Sequence, residues 1–344
     1  MRKVGLLGGS FDPIHLGHVE MAKQAKRQLH LDEVWFVVSN DTPLKERVLS
    51  DYQIRVNMVK LAIASYRNFK VCTIEKTNKG KNYTIDTVHK LKKLYKDSAF
   101  FFIVGGDQVE QLDKWKDIDK LQQEVSLCYF ERDGKKYTSD YKLHPLHMNP
   151  YPISSSTIRE GKLTYLNPKV KRYISENYIY AGIVSNYMSE YRYQHSMRVA
   201  ELCVNLAKVH GYDEKIAYLA GMYHDINKEF TYLSLADAKV IIEHLQPNLL
   251  KTKESIWHGF LGSYVCKHHL GIYDHRILEA IEHHVLGSSN AIYAKILYIA
   301  DKLDPDRDYD TQKLWNIALT DIHAGFKAVK EDQEKFYGEE FLDE

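Results

Sequence analysis

Apolar residues follow two different rhythms in the two halves of the chain. In the first half, short apolar runs such as "KVGLLGG", "EVWFVVS" and "AFFFIVGGD" alternate with segments whose apolar residues recur every three or four positions. Short buried runs predict strands, and the wider spacing predicts helices. Strands that alternate with helices are typical of a parallel sheet with crossover helices. We therefore expect an α/β first half.

The strand signals stop after residue 180, and helical spacing continues to the end. Segments such as "MRVAELCVNLAKVHG", "EKIAYLAGMYHD" and "AKILYIADKL" have apolar residues at helical intervals. The second half is therefore predicted to be all-α. A length of 344 residues suits two domains. We place them at residues 1–182 and 183–344, with the boundary near "YIYAGIVSN".

Charge divides the chain at the same place. Residues 1–180 carry 30 Lys and Arg against 21 Asp and Glu, a net charge of +9, whereas the remainder has a net charge of −8. Of the 17 histidines, 11 follow residue 180. A basic half suits anionic substrates, and an acidic, histidine-rich half suits metal cations.

Cysteine spacing and hydropathy exclude several classes of protein. The four cysteines are far apart and form no CxxC pair, which argues against zinc ribbons and redox motifs. No apolar run approaches the roughly 20 residues that span a bilayer, and the first residues do not resemble a signal peptide. We expect a cytoplasmic protein that binds neither membrane nor nucleic acid. The sequence leaves a homo-oligomer open.

The segment "GGSFDPIHLGH" (residues 8–18, called motif 1) follows the first predicted strand. Gly8 and Gly9 let the main chain approach a phosphate, and Ser10 adds a hydroxyl and an N–H group. His15 and His18 share one side of a helix predicted to start near residues 17–19. Two imidazoles at a helix N-terminus can stabilise the charge of a phosphoryl transition state.

The segment "YPISSSTIREG" (residues 151–161, called motif 2) has the composition of a second phosphate-binding helix start. Ser154, Ser155 and Ser156 suit the cap of a helix, and Arg159 suits a phosphate. Alone, the same pattern would fit an ordinary helix cap.

Motifs 1 and 2 together resemble the signatures of the nucleotidyltransferase superfamily that transfers AMP from ATP to a phosphate acceptor. Ser156 stands where the family's ISSTxIR motif has Thr. The resemblance implies a Rossmann-like domain and Mg²⁺ that screens the triphosphate. It places His15, His18 and Arg159 at the reacting groups. It also implies that the following residues bind substrate: Gly8, Gly9, Ser10, Phe11, Ser154, Ser155 and Ser156.

Two further segments, "NYTIDTV" and "VGGDQVEQLDKWKD", resemble the nicotinate-nucleotide adenylyltransferase family. The resemblance implies that Trp115 stacks on the pyridine ring, Thr87 lies near its carboxylate, and Lys45 binds the acceptor phosphate. It also implies that Gly105 and Asp107 bind ATP, with Asp107 beside the nucleoside. The family usually has a Pro-rich loop at Lys45, of which only Pro43 remains. Pantetheine-phosphate adenylyltransferase stays as the alternative, although that family normally has Thr in place of Ile14 and lacks the Trp115 segment.

In the second half, His195, the pair His224-Asp225 and Asp301 follow the order H…HD…D. This pattern resembles the HD-domain phosphohydrolase superfamily. Adjacent residues on a helix point about 100° apart. His224 and Asp225 can therefore hold one ion only if the helix ends there, or Asp225 bridges two ions.

Two further histidines enlarge this set. His258 and His284 bring the nitrogen and oxygen ligands to six, more than one open site needs, which favours a dinuclear centre. Imidazole with carboxylate suits iron, manganese or zinc. Lys228 and Arg307 are candidates to neutralise a polyphosphate, although Arg307 could instead pair with its acidic neighbours.

The segments around these six residues resemble the YqeK-like HD-domain family, and this resemblance selects His284 rather than His283 as the ligand. It implies symmetrical bis(5′-nucleosyl)-tetraphosphatase activity at a di-iron site, with diadenosine tetraphosphate and water giving two ADP. The expected substrates of the whole chain are thus ATP, nicotinate mononucleotide and diadenosine tetraphosphate. Hydrolysis of another nucleotide and a nucleotide-sensing module remain as alternatives for the second half.

Overall fold

In a computed structural model, the chain divides into two compact units, Met1–Tyr173 and Ile174–Glu344, called the first and second unit. The structure describes residues 1–40, 49–76, 82–131, 140–149, 151–306 and 310–337. The predicted domain boundary after residue 182 stays a prediction.

The first unit is built on a parallel sheet. Within the described ranges, the sheet has six strands in the order β3-β2-β1-β4-β5-β6. Every neighbouring pair is parallel. The strands are β1 (Arg2–Gly9), β2 (Glu33–Val38), β3 (Phe69–Cys72), β4 (Ser98–Gly105), β5 (Ser126–Phe130) and β6 (Leu143–Leu146). The predicted Rossmann-like architecture is confirmed.

Helices connect these strands and cover the sheet. They are α1 (Leu16–Gln28), α2 (Tyr52–Ile63), α3 (Thr84–Leu94), α4 (Gly106–Val109), α5 (Ile118–Glu124) and α6 (Ser155–Arg159). The next helix, α7 (Pro168–Glu176), contains the division between the units. Helix α1 begins at Leu16, just before the start predicted from the sequence.

The order of the strands positions a crevice. Strand β1 lies between β2 and β4, so the chain runs outward in one direction through β3 and then returns to the other side of β1. Ligands of open α/β sheets bind beyond the carboxyl ends of the strands at such a switch point. Strand β1 ends there in Gly8-Gly9 and β4 ends in Gly105, so both glycine-rich ends meet at this edge.

The described residues of the second unit form helices joined by turns and loops, and they contain no strand, as predicted. Its helices are α8 (Gly182–Ser185), α9 (Glu190–Val209), α10 (Glu214–Tyr223), α11 (Leu235–Leu245), α12 (His258–Val265), α13 (His275–His283), α14 (Ile292–Lys302), α15 (Gln312–Thr320) and α16 (Ile322–Tyr337). Helix α14 is central, because every residue from Tyr293 to Asp301 is buried. Across the described part of the chain, no helix is both long and apolar enough to cross a membrane.

Two glycines allow close helix crossings in the second unit. A Cβ atom on Gly221 of α10 would lie 2.5 Å from the Cα atom of Ala200 in α9. A Cβ atom on Gly259 of α12 would lie 2.7 Å from the carbonyl oxygen of Glu282 in α13. Since side chains at these positions would force the helices apart, the glycines bring together the elements that carry the candidate metal ligands.

Candidate active sites

Motif 1 forms a tight, buried loop at the carboxyl end of β1. Phe11 is buried and has a φ of 49°, and the Asp12 side chain is fully buried. The Asp12 Oδ2 atom accepts a hydrogen bond from the Ser50 backbone N–H at 3.3 Å. Burial and this hydrogen bond hold the loop in place, with Ser10 and Phe11 at the crevice edge of the sheet.

His15 and His18 form a stacked pair at the start of α1. Their ring centroids are 3.7 Å apart, and both residues are half-buried. The His15 backbone N–H donates to Nδ1 of His18 at 3.2 Å. In a neutral His18 the proton is therefore on Nε2. The pair lies at the positive end of the helix dipole, where such groups stabilise phosphate charge.

Motif 2 is fastened directly to motif 1. Ser154 caps α6 by accepting a hydrogen bond from the Thr157 backbone N–H at 3.2 Å, and its hydroxyl is 2.7 Å from that of Ser156. The Ser155 hydroxyl donates to the Pro13 carbonyl at 2.9 Å. Arg159 donates from Nη1 to the Asp12 carbonyl at 2.7 Å. The two predicted phosphate-binding segments therefore form one site.

The end of β4 completes this edge of the sheet. Gly105 precedes α4, and a Cβ atom there would lie 2.5 Å from Oδ1 of Asp107. A side chain at position 105 would require the Asp107 carboxylate to move from its present place beside the main chain. Asp107 is exposed, at the end of the strand that pairs with β1.

The two segments predicted to bind the acceptor are adjacent. Lys116, next to Trp115, lies 3.3 Å from the Asp86 carboxylate of α3, the helix that also carries Thr87. Trp115 is half-buried and packs edge-on against Phe102, with ring centroids 5.8 Å apart. Its indole N–H has no hydrogen-bond partner among the described residues. Lys45 lies outside the described residues.

Thr87 is held by a buried carboxylate that the sequence analysis did not single out. The Thr87 hydroxyl donates to Glu75 at 2.8 Å, and Glu75 also accepts from the Asn40 backbone N–H at 3.3 Å. Burial raises the pKa of Glu75 above its ordinary value. Glu75 thereby ties the start of α3 to the end of β2.

Arg55 is a second residue of the first unit that sequence reasoning missed. Its side chain is 1% exposed and donates to three backbone carbonyls, those of Ser10 at 2.9 Å, Ser39 at 2.6 Å and Ser50 at 2.9 Å. It therefore joins motif 1 to the ends of the segment that contains Lys45. A signal was present, because Arg55 shares the buried face of α2 with Val59.

The second unit brings all six predicted metal ligands into one buried cluster, called the His/Asp cluster. His195 lies in α9, His258 begins α12, and Asp301 lies in α14. Helix α10 ends at Tyr223 and α13 at His283, so His224 and His284 directly follow the last residues of these two helices. The cluster consists of His195, His224, Asp225, His258, His284 and Asp301, all at most 4% exposed.

Asp225 joins two halves of this cluster. Its Oδ2 atom is 3.4 Å from Nε2 of His224, and its Oδ1 atom is 3.3 Å from Nε2 of His258. Among the described residues, two groups have ligand atoms within 4.8 Å of one another. They are His195, His224 and Asp225, and Asp225, His258 and His284. Asp301 lies on the first side, with Oδ1 3.2 Å from Nε2 of His195.

Every histidine of the cluster has its Nδ1 atom engaged elsewhere. Nδ1 of His224, His258 and His284 lies 2.6, 2.8 and 2.6 Å from the carbonyls of Gly221, Ser255 and Ile281, respectively. Nδ1 of His195 lies 2.6 Å from the Asp304 carboxylate. With Nδ1–H as donor, each Nε2 carries a lone pair that faces the cluster.

The donor set fits divalent metal. Nε2 of His195, Nε2 of His224 and Oδ1 of Asp225 are buried, and none has a hydrogen-bond partner in the described part of the chain. Unsatisfied buried ligand atoms are costly unless something binds them. Three imidazole or carboxylate ligands on each side of Asp225 suit a transition metal.

The electrostatics of the cluster favour the ligand forms of most of these residues. Burial tends to raise the pKa of Asp225, but His224 and Lys228 outweigh it and hold that pKa well below its ordinary value. Burial lowers the pKa of His258 and His284, which keeps both imidazoles neutral. Burial also acts to lower the pKa of His195, but the carboxylates of Asp301 and Asp304 overcome it and raise that pKa.

Of the other candidate residues near the His/Asp cluster, the structure brings Lys228 to the cluster and directs His283 away from it. His283 points to the Ser288 hydroxyl, with Nδ1 2.8 Å away, so the structure brings His284 and not His283 into the cluster. Lys228 Nζ is 3.4 Å from Oδ2 of Asp225. Arg307 lies outside the described residues.

Sequence reasoning missed Asp304, which orients His195. Arg198 binds the Asp304 carboxylate through Nε at 2.8 Å and Nη2 at 3.0 Å, so the chain Arg198–Asp304–His195 fixes the imidazole. Carboxylates in this position orient a histidine ligand and raise its basicity. The signal was its place three residues after Asp301 in the acidic segment "ADKLDPDRD".

Comparisons with known proteins match both units. The model of the Cytidylyltransferase-like family matches residues 6–161, and that of the HD domain matches residues 192–306. A Shouchella clausii protein named "Probable nicotinate-nucleotide adenylyltransferase" is 44% identical over 187 residues, which are 52% of this chain and 97% of that protein. The structure of Plasmodium falciparum nicotinic acid mononucleotide adenylyltransferase complexed with NaAD covers 52% of this chain and 98% of its own, at 22% identity and a TM-score of 0.47.

The relatives also include proteins that span both units. A Mycoplasma genitalium protein named "Probable nicotinate-nucleotide adenylyltransferase/Ap4A hydrolase" is 30% identical over 346 residues, which are 98% of this chain and 96% of that protein. This match confirms the two resemblances drawn from the sequence. The chain therefore belongs to the family of nicotinate-nucleotide adenylyltransferase/Ap4A hydrolase proteins, which join a Cytidylyltransferase-like domain to an HD domain.

Proposed function

We propose that the first unit transfers AMP from ATP to nicotinate mononucleotide, giving the deamido dinucleotide and pyrophosphate. The observation that carries this proposal is the joining of motifs 1 and 2. Arg159 and Ser155 bind the carbonyls of Asp12 and Pro13, beside the stacked pair His15 and His18. Such a site presents imidazole, guanidinium and helix N-termini to phosphate oxygens.

In this reaction an oxygen of the acceptor's 5′-phosphate attacks the α-phosphorus of ATP in line, and pyrophosphate leaves. Positioning and charge stabilisation supply the catalysis in phosphoryl transfer. His15 and His18 bind the charge that develops on the transferred group, and Arg159 with the serines of motif 2 binds the triphosphate. Mg²⁺ bound with ATP neutralises part of the triphosphate charge. We place Asp107 at the nucleoside, Thr87 at the nicotinate carboxylate and Trp115 against its ring.

A panel of acceptors tests this assignment. The full-length protein with ATP and Mg²⁺ is given nicotinate mononucleotide, its amide counterpart or phosphopantetheine, and pyrophosphate release is measured. We expect clear preference for the nicotinate form. Equal rates with the amide would contradict the placement of Thr87. Activity with phosphopantetheine alone would support pantetheine-phosphate adenylyltransferase instead.

We propose that the second unit hydrolyses diadenosine tetraphosphate symmetrically to two ADP, with two metal ions, iron in our assignment, in the His/Asp cluster. The carrying observation is that Asp225 presents one oxygen to each half of the cluster. Two metal ions bound there would supply Lewis acidity at the phosphate and activate water. The imidazole and carboxylate donors suit iron, and also manganese or zinc.

In this proposal, other residues of the chain orient the metal ligands and bind the phosphate oxygens. The carbonyls behind His224, His258 and His284 and the carboxylate behind His195 hold each ligand in one tautomer. Lys228, which is about one-third exposed, faces the cluster from the solvent side and binds phosphate oxygens. We assign Arg307 to the same task. Symmetrical cleavage follows if these cations hold the two central phosphates.

Product analysis tests the second proposal. The protein, prepared under reducing, iron-replete conditions, should contain about two transition-metal ions per chain, because the cluster offers two sets of ligands. It should convert diadenosine tetraphosphate to ADP alone. ATP with AMP would mean asymmetrical cleavage. Turnover of only a mononucleotide would assign another substrate, and a folded protein without metal or hydrolysis would favour the sensing module.

We also propose a cytoplasmic location, where ATP and nicotinate mononucleotide are found.

A further inference from the structure

A second cation, Arg192, contacts the shared ligand of the His/Asp cluster. Arg192 lies on α9 three residues before His195, so both side chains occupy one face of that helix. Its Nη1 atom is 2.9 Å from Oδ2 of Asp225, the same oxygen that Lys228 approaches at 3.4 Å. Arg192 and Lys228 thus converge on the side of Asp225 that faces His195 and His224.

Arg192 also lines an open cavity. The cavity is bounded by Tyr191, Arg192, His195, Lys228, Asp304 and Asp306. The Arg192 side chain is 20% exposed and that of Lys228 is 32% exposed, so solutes can reach both. A ligand in this cavity would therefore touch His195 and the two cations together.

The bonding of Arg192 leaves donor capacity unused. A guanidinium has five N–H donors in a fixed planar fork. The ion pair with Asp225 is made by Nη1, whereas the buried Nε has no hydrogen-bond partner among the described residues. The nearest carboxylate to Nε is that of Glu229, whose Oε1 atom is 4.0 Å away and whose oxygens both accept from Ser189.

Charge balance alone does not account for this arrangement. Lys228 already neutralises Asp225, and neutralisation requires no fork. A planar guanidinium that is 20% exposed at the wall of a cavity suits the oxygens of a phosphate, which arginine binds through two parallel hydrogen bonds.

We propose that Arg192 is a phosphate-binding residue of the second unit. Together with Lys228 it holds a phosphate of the nucleotide's polyphosphate chain beside His195, and it rests on Asp225 when no phosphate is bound. The identity of the nucleotide rests on the proposed hydrolase function, whereas the anionic class of the ligand does not.

Chemical modification with phenylglyoxal tests the binding role residue by residue. The metal-depleted full-length protein is treated with and without inorganic tripolyphosphate, and modified arginines are quantified by peptide mass spectrometry. This separates Arg192 from the arginines of the first unit. We expect tripolyphosphate to slow modification of Arg192 several-fold. Arg276, an exposed arginine held by Asp274, serves as the internal control and should not change. Equal protection or none at the two arginines would overturn the proposal.

Kinetics of the metal-loaded protein test the same residue by substitution. Arg192→Gln should lower kcat/KM for diadenosine tetraphosphate about 10–100-fold, because a charge-assisted hydrogen bond is lost. The change should lie mainly in KM. Arg192→Lys should recover part of the loss, and Arg276→Gln should match the wild type. Metal content should stay unchanged in all variants, and loss of metal in Arg192→Gln would make the residue structural and overturn the proposal. If the wild type hydrolyses no diadenosine tetraphosphate, the proposed function fails while the protection experiment still decides the role of Arg192.

Discussion

The proposed phosphate sites of the two units are built in different ways. In the first unit the main chain forms much of the site. Gly8 and Gly9 end a strand, two short segments begin helices, and Arg159 and Arg55 bind backbone carbonyls. In the second unit the site consists of buried side chains whose charges and tautomers are set by other side chains and carbonyls. The first unit thus depends on the geometry of a loop, and the second unit depends on an arrangement of charged side chains.

This difference predicts how each site responds to substitution. Removing one group from the first site leaves the loop fastened by the others, so the main loss is of transition-state stabilisation. Removing Asp225 leaves histidines without their shared partner and takes a ligand from both halves of the cluster. The second site should therefore fail more completely. Four substitutions test this contrast.

Asp225→Ala should have the largest effect. Because Asp225 faces both ligand groups, the variant should lose both metal ions. Its rate of hydrolysis of diadenosine tetraphosphate should fall at least about 10³-fold, because metal ions contribute several kcal/mol to transition-state stabilisation. Metal analysis and ADP release measure this. By contrast, His258→Ala should mainly deplete one ion. His283→Ala, next to His284 but bound to Ser288, is the matched control. Retention of two ions by Asp225→Ala would exclude a shared ligand.

His18→Ala should lower kcat for adenylyl transfer about 10²–10³-fold, by analogy with the loss of one oxyanion donor. ATP binding should remain within about tenfold, because Arg159 and motif 2 stay in place. Rates of pyrophosphate release and calorimetric titration with ATP measure the two quantities. His89→Ala, an exposed histidine on α3, is the control. Normal turnover in His18→Ala would show that the imidazole only supports the loop.

Asp304→Asn should have an intermediate effect. The substitution keeps the size of the side chain but removes the charge that His195 and Arg198 contact. Outer carboxylates of this kind contribute about 10–100-fold to metal affinity or activity. Competition with a chelator measures the affinity. Asp306→Asn, which also contacts Arg198 but not His195, should have less effect. Equal losses in the two variants would remove the special role of Asp304.

Trp115→Ala should have the smallest effect. Stacking acts on the bound acceptor in the ground state and the transition state alike, so KM for nicotinate mononucleotide should rise about tenfold with little change in kcat. Trp115→Phe should retain most of the affinity. Initial rates at varied acceptor concentration decide between these outcomes. An unchanged KM in Trp115→Ala would place the indole outside the site.

The sequence predicted the fold better at its centre than at its edges. Five strands of the sheet follow from buried apolar runs, and the crossover pattern predicts their parallel order. Strand β6 was missed, because "LHPL" is short, contains Pro145 and has no apolar alternation. Such a sequence suits an edge strand, which tolerates proline and needs burial on fewer sides.

For the sites, the sequence predicted the residues that lie within recognisable motifs. It did not predict the residues elsewhere in the chain that contact them. The six cluster residues stand in recognisable segments. Asp304, Arg192 and Arg55 contact partners that are 109, 33 and 45 positions away, in the Asp304–His195, Arg192–Asp225 and Arg55–Ser10 contacts. Pairings of this kind depend on how strands and helices pack, which apolar periodicity does not specify.

In the proposed function, one chain performs two chemistries with separate side chains. The most direct measurement assays both activities in the full-length His18→Ala, Asp225→Ala and doubly substituted proteins, with folding checked by circular dichroism. We expect His18→Ala to lose adenylyl transfer and to keep hydrolysis within about twofold, and Asp225→Ala to do the reverse, because each proposed site is built from side chains of only one unit. The double variant should lack both. A folded single variant that loses both activities would contradict the account.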